Sequence, residues 1–199
     1  MNTIIRLVLA GGQSSRLGQD KTQVMHQGQT LLGRTADLVH QCCASVYISC
    51  RTPEVNTTSF PSLLDATDRI GPVGGIVTAL RQFRQPVLAV ACDLPWLHTE
   101  ILGQLIQAHG LRSPETVATT WKHARTGILE PLVALYTPAA LPFLEHGILN
   151  NHFTLNRLIP AHAWHTLIYP PEYDHFFFNM NTPQDLAKLT QNTQPPSER

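Results

Sequence analysis

The sequence predicts an α/β fold: a single-domain, three-layer α/β/α architecture with a mostly parallel, Rossmann-like sheet. Apolar runs of strand length recur at residues 4–10, 46–50, 87–92, 116–121 and 132–136, without the polar alternation of a half-exposed strand. Between them lie residues 31–44, 73–83 and 100–109, where apolar positions fall three or four apart as on a helix face. Strand followed by helix, repeated, implies parallel pairing through right-handed crossovers. A chain of 199 residues favours one core over two.

Taken in order, residues 4–10 read as a buried first strand. A secretory apolar segment is the weaker reading, because Arg6 interrupts the run and Gly11-Gly12 follow it. The cysteines at 42, 43, 50 and 92 show no C-x-x-C spacing and are expected to be reduced packing residues of a cytoplasmic protein. Residues 60–64 form a short apolar piece, and Phe176-Phe177-Phe178 is expected to be a core or edge strand. Thr182-Pro183-Gln184-Asp185 opens a last helix, with Thr182 as N-cap and Pro183 at the first helical position, running to about residue 189. The domain is thus expected over 1–190, with 191–199 a loose polar tail.

Composition excludes several functions. Lys plus Arg and Asp plus Glu both number 14, so the basic excess of a duplex-binding domain is missing and no nucleic-acid partner is expected. No run approaches the roughly 18 apolar residues that span a bilayer, so no membrane role is expected.

In an open sheet of this kind ligands bind beyond the carboxyl ends of the strands. There the first strand runs into Leu9-Ala10-Gly11-Gly12-Gln13-Ser14-Ser15-Arg16-Leu17-Gly18-Gln19-Asp20-Lys21, a Gly/Ser-rich loop with two cations suited to an anion. It matches neither the P-loop nor the dinucleotide fingerprint. Asp93 is a lone carboxylate at the tip of an apolar strand and fits a Mg²⁺ held jointly with substrate phosphates; N-capping the next helix is its alternative role. In Gly71-Pro72-Val73-Gly74-Gly75-Ile76, Pro72 suits a first helical position, and Gly74 and Gly75 remove side chains where a base or ribose would approach. His162-x-x-His165 reads as surface or packing.

The loop from Leu9 to Lys21 resembles the signature of nucleoside-triphosphate transferases, in the guanylyl form of the molybdenum cofactor guanylyltransferase family. Gly71–Ile76, Cys92-Asp93-Leu94-Pro95-Trp96, the strand Glu130-Pro131-Leu132-Val133-Ala134-Leu135-Tyr136 and Phe178-Asn179-Met180-Asn181-Thr182-Pro183-Gln184-Asp185-Leu186 resemble further family segments in the same order. The resemblance covers residues 4 to about 189. It implies the nucleotide-diphospho-sugar transferase type of fold and transfer of GMP from GTP to the phosphate of molybdenum-molybdopterin, with release of pyrophosphate. It also implies catalytic roles for Arg16, Lys21 and Asp93, and nucleotide contacts from Leu9, Ala10, Gly11, Gly12, Lys21, Asp65, Gly71, Gly75 and Asp93. Mg²⁺ would sit on Asp93, and Asn179 and Asn181, one residue apart on an extended segment, would meet the pterin or a second phosphate. Transient contact with molybdopterin-synthesis proteins and recipient molybdoenzymes follows from the same resemblance. Gly11-Gly12 favours guanylyl over cytidylyl transfer, because the related cytidylyltransferases usually carry Ala-Ala-Gly. The chain departs from the family at Ser49-Cys50-Arg51, where an Asn is common, which leaves the base contact within residues 51–59 unassigned. The alternatives are a cytidylyl or sugar-phosphate nucleotidyltransferase, or a non-catalytic nucleotide-binding handover protein; retention of Arg16, Lys21 and Asp93 weighs against the last.

Overall fold

The computed structural model describes residues 4–10, 21–42, 45–65 and 70–191. In chain order the elements begin with β1 (Ile5–Leu9), the small hairpin β2 (Met25–His26) and β3 (Gln29–Thr30), α1 (Leu31–Gln41), β4 (Val46–Cys50) and β5 (Ser62–Leu64). They continue with α2 (Pro72–Phe83), β6 (Val87–Ala91), α3 (Thr99–Gly110), β7 (Ala118–His123) and β8 (Leu129–Tyr136). Last come α4 (Leu141–Leu149), α5 (Leu155–Leu158), β9 (Trp164–Tyr169) and α6 (Pro183–Gln191).

Seven strands form one sheet in the order β5-β4-β1-β6-β8-β7-β9. β1 pairs in parallel with both β4 and β6, with Val8 opposite Ile48 on one side and Val90 on the other. β8 is antiparallel to both its neighbours, and β9 is parallel to β7. Six strands therefore run one way and β8 alone reverses, which is the mostly parallel sheet the sequence predicts. The carboxyl ends of the six lie at one edge of the sheet, together with the start of β8.

Both faces are covered, which explains the unbroken apolar runs. Leu7 and Leu9 point into a core with Val73, Ile76 and Leu80 of α2 and Leu144 of α4. Val8 and Ala10 point the other way, onto Leu32 and Val39 of α1 and Leu102 and Leu105 of α3. Arg6, 2% exposed in the middle of this apolar strand, turns its guanidinium to the backbone carbonyls of Ile4 and Cys42 and so ties the end of α1 to the sheet. A cation at a helix C-terminus also complements the helix dipole.

Three elements differ from expectation. Residues 176–178 are not a strand: a 3-10 turn spans Pro171–Phe177, and its three-residue period sends each ring a different way. Phe177 packs on Tyr169, Phe178 on Trp96, and Phe176 on Tyr173 and His175. A strand, with period two, could not distribute them so. α1 stops at Gln41, before the predicted residue 44. α6 runs to Gln191, and Thr182 is its cap: Asp185 N–H donates to Thr182 Oγ1 at 3.2 Å while Asp185 Oδ2 accepts Thr182 N–H at 2.9 Å. No helix among the described residues is long and apolar enough to cross a membrane.

Candidate active site

β6 is apolar throughout, and the turn that leaves it presents Asp93. Lys21 Nζ lies 3.1 Å from Asp93 Oδ2, with the two side chains only 16% and 15% exposed. The same ammonium donates to Asn181 Oδ1, and Met180 N–H donates to the Asp93 backbone carbonyl at 2.9 Å. Residues from near the start, the middle and near the end of the chain thus meet at one point. A separate small core holds them there: Val24, Leu31, Trp96, Met180 and Leu189, with the Trp96 ring 4.8 Å from that of Phe178.

Burial pushes the Asp93 carboxyl above its ordinary value, against the opposing pull of Lys21. Its second oxygen, Oδ1, is buried and has no hydrogen-bond partner among the described residues. An orphaned carboxylate oxygen is costly unless a cation completes it. A hard divalent ion with oxygen ligands fits that position. Among the described residues no three His, Cys, Asp or Glu side chains converge to enclose a metal. A Mg²⁺ here would therefore take its other ligands from water and phosphates, as this ion commonly does.

A second group lies along the same edge. Ser49, 2% exposed near the end of β4, donates from Oγ to Asp65 Oδ1 at 2.7 Å. Asp65 N–H donates to the Cys50 carbonyl at 3.0 Å, and Ala10 N–H to the Ser49 carbonyl at 2.9 Å, so both partners are fixed by the sheet. Gly75 of α2 faces this pair. A Cβ there would stand 2.1 Å from Ser49 Oγ and 3.2 Å from Asp65 Oδ1. Its missing side chain lets the helix approach Ser49 and Asp65 closely. Gly71 is different: with φ 63° and ψ −150° it occupies a backbone region nearly reserved for glycine, and an added Cβ would meet nothing within 4 Å. Three strand spacings of about 4.8 Å each separate the strands carrying Asp65 and Asp93.

The structure therefore brings together Lys21, Asp93 and Asn181, and joins Asp65 to Gly75 through Ser49. Leu9 ends β1 and Ala10 follows it, both buried. Asn179 is exposed and makes none of these contacts. Asp93 does not cap the next helix, because His98 Nδ1 accepts Glu100 N–H at the start of α3. Gly11, Gly12 and Arg16 lie outside the described residues. Ser49 was not singled out from the sequence as a site residue. Its signal was the small hydroxyl standing where an Asn is common.

Residues 6–171 match the MobA-like NTP transferase domain. The chain is 34% identical over 194 residues to a probable molybdenum cofactor guanylyltransferase of a Nostoc species, an overlap of 95% of this chain and 91% of that one. It is 29% identical to a probable molybdenum cofactor guanylyltransferase of Thermococcus sibiricus, over 94% and 97% of the two chains. The crystal structure of molybdopterin-guanine dinucleotide biosynthesis protein A from Archaeoglobus fulgidus superposes with a TM-score of 0.74 at 27% identity, covering 94% of this chain and 96% of that one. A CMP:2-keto-3-deoxy-manno-octonic acid synthetase, at 13% identity and a TM-score of 0.75 over 94% and 97% of the chains, shares the fold alone. With a family match over most of its length and a site that gathers a lysine and a carboxylate at the sheet edge, the chain belongs to the MobA-like NTP transferase family and is a nucleotidyltransferase.

Proposed function

We propose that the protein transfers GMP from GTP to the terminal phosphate of molybdenum-molybdopterin, forming the molybdopterin guanine dinucleotide cofactor and pyrophosphate. The observation that carries this reading is the half-buried group of Lys21, Asp93 and Asn181, with one buried Asp93 oxygen that no described residue engages. The names of the relatives, molybdenum cofactor guanylyltransferase, supply the substrates.

An acceptor phosphate oxygen attacks the α-phosphorus of GTP in line. The bond from the α-phosphorus to the bridging oxygen breaks, and its electron pair leaves with pyrophosphate. No general base is needed, since a phosphate monoester is already ionised near neutral pH. The protein's work is placement and charge neutralisation. Lys21 is held in position by Asp93 and Asn181 before substrate arrives, so its charge need not be reorganised during the reaction. Asp93 Oδ1 would hold Mg²⁺, which when bound neutralises phosphate charge and acts as a Lewis acid. Arg16 and the backbone of Gly11 and Gly12 belong to the phosphate loop in this reading, and Asp65 accepts from the N1–H and 2-amino donors of guanine. Incubating the purified protein with GTP, Mg²⁺ and metal-loaded molybdopterin should yield pyrophosphate and a guanine dinucleotide of the expected mass. Hydrolysis to GMP alone, or no turnover, would contradict the proposal.

A further inference from the structure

The two organic partners of the proposed reaction share a hydrogen-bonding edge. Guanine and a pterin both present a 2-amino-4-oxopyrimidine face, with a ring N–H beside an NH₂. A carboxylate accepts such a pair of donors with its two oxygens. Asp65 supplies one such acceptor. The sheet supplies another on the far side of Asp93.

β8 runs antiparallel to β6 with Val90 opposite Val133. Beyond this pair, toward the edge that carries the site, β6 leads to Asp93 and β8 begins beside Glu130. The strand order β5-β4-β1-β6-β8 thus sets Asp65, Asp93 and Glu130 in a row, with the phosphate-handling group between two carboxyls.

Glu130 is held both at its carboxylate and at its backbone. The Tyr169 hydroxyl donates to Oε1 at 2.7 Å, and the Glu130 backbone carbonyl accepts from Thr120 Oγ1 at 2.6 Å. Tyr169 is 3% exposed, 4.4 Å from the Phe177 ring and edge-on to His123 at 5.2 Å. His123 is locked in turn. Its Nδ1 accepts the N–H groups of Arg125 and Thr126 at 3.0 Å each, so Nε2 carries the proton and donates to Asp174 Oδ1 at 3.0 Å. Burial raises the Glu130 carboxyl, and burial first, then the bond to Glu130, raises the Tyr169 hydroxyl, which therefore stays the donor. No Lys or Arg among the described residues pairs with Glu130. The described residues thus hold a partly desolvated carboxyl with one oxygen engaged by Tyr169, the other engaged by none of them, and no Lys or Arg among them paired with it.

We propose that Glu130, positioned by Tyr169, accepts the 2-amino-4-oxopyrimidine edge of the pterin substrate. This rests on the reading under Proposed function and moves pterin recognition from Asn179 and Asn181 to the β8–β9 end of the sheet edge.

The test titrates the full chain with 6-hydroxymethylpterin monophosphate, followed by its own fluorescence, and with the 2-deamino counterpart. Glu130→Gln keeps an acceptor for Tyr169, and its unchanged melting curve checks the fold. It should weaken the pterin at least about tenfold and erase the preference over the deamino analogue, with GTP affinity held within about twofold. Tyr169→Phe should give a smaller loss, about threefold. A Glu130→Gln protein with wild-type pterin affinity and preference overturns the assignment, as does a wild-type protein that does not distinguish the two probes. Transfer of GMP to metal-loaded molybdopterin, measured on the same samples, separates the two claims. Transfer by the wild type together with an indifferent Glu130→Gln removes only Glu130. No transfer and no pterin binding by the wild type removes the functional reading and the assignment with it.

Discussion

Asp93 shows how one side chain can be costly to the fold and, in the proposed reaction, the seat of the metal. Its backbone is held by Met180, but one oxygen of its carboxylate is buried without a partner among the described residues. Asp93→Asn keeps the shape and the backbone bond, so the protein should still melt cooperatively. In the proposed reaction turnover should fall at least about a hundredfold, because Asp93 would hold the Mg²⁺ whose charge neutralisation is worth several kcal/mol in the transition state. Turnover of the variant across a Mg²⁺ titration checks this, and wild-type metal dependence would remove Asp93 from the role. His109 makes a different claim, about stability. It is buried at the end of α3 with Nδ1 2.9 Å from Thr119 Oγ1, and burial, then the charges of Arg112 and His165, lowers its pKa from 6.5 to about 4. Between those values the unfolded chain binds a proton that the folded chain refuses. Its contribution is therefore complete above about pH 6.5, declines as the pH falls toward 4, and is flat below. Melting temperatures of His109→Gln should fall less than those of the wild type over that window. Parallel curves would refute the assignment.

At the scale of the element, α2 is built to approach β4 and β5 closely. Gly75→Ala should cost about 1–3 kcal/mol, because its methyl group would collide with Ser49. Adding Ser49→Gly removes the colliding atoms, so the double variant should melt above Gly75→Ala alone, a non-additive result expected for neighbours. It should still show a raised KM for GTP, because the Ser49 bond that orients Asp65 is gone. Additive losses would show that the contact does not govern the packing. Elements with a strong internal pattern were legible in the sequence: β1, β4 and β6 as continuous apolar runs, and α2 and α3 from their spacing. β9 was not. Its Trp-His-Thr-Leu-Ile-Tyr mixes rings and β-branched residues without a clean period, since among the described residues the strand pairs with β7 alone and is partly exposed. The turn at 171–177 was misread because three consecutive phenylalanines suggest a strand unless their three different destinations are known.

At the scale of the whole molecule, function depends on what the topology carries to one edge of the sheet. Lys21 and Asp93 were legible because each follows a recognisable strand within a local motif. The bond from Lys21 to Asn181 was not, because it spans 160 positions and depends on a third small core that no local pattern reveals. The Ser49–Asp65 pair and the Glu130–Tyr169 pair are hidden for the same reason: each joins residues that only strand order makes neighbours. Along that edge the proposed nucleotide end, phosphate group and acceptor end follow one another from β5 to β8, which matches the order of parts in the product. The central claim is that this arrangement makes a guanine dinucleotide. A competition with equal GTP and CTP, Mg²⁺ and metal-loaded molybdopterin, with the product identified by mass, tests it most directly. The account predicts guanylyl product in excess of cytidylyl by at least about a hundredfold, the discrimination available when buried polar groups read a base edge; mainly cytidylyl product, or no dinucleotide, would contradict it.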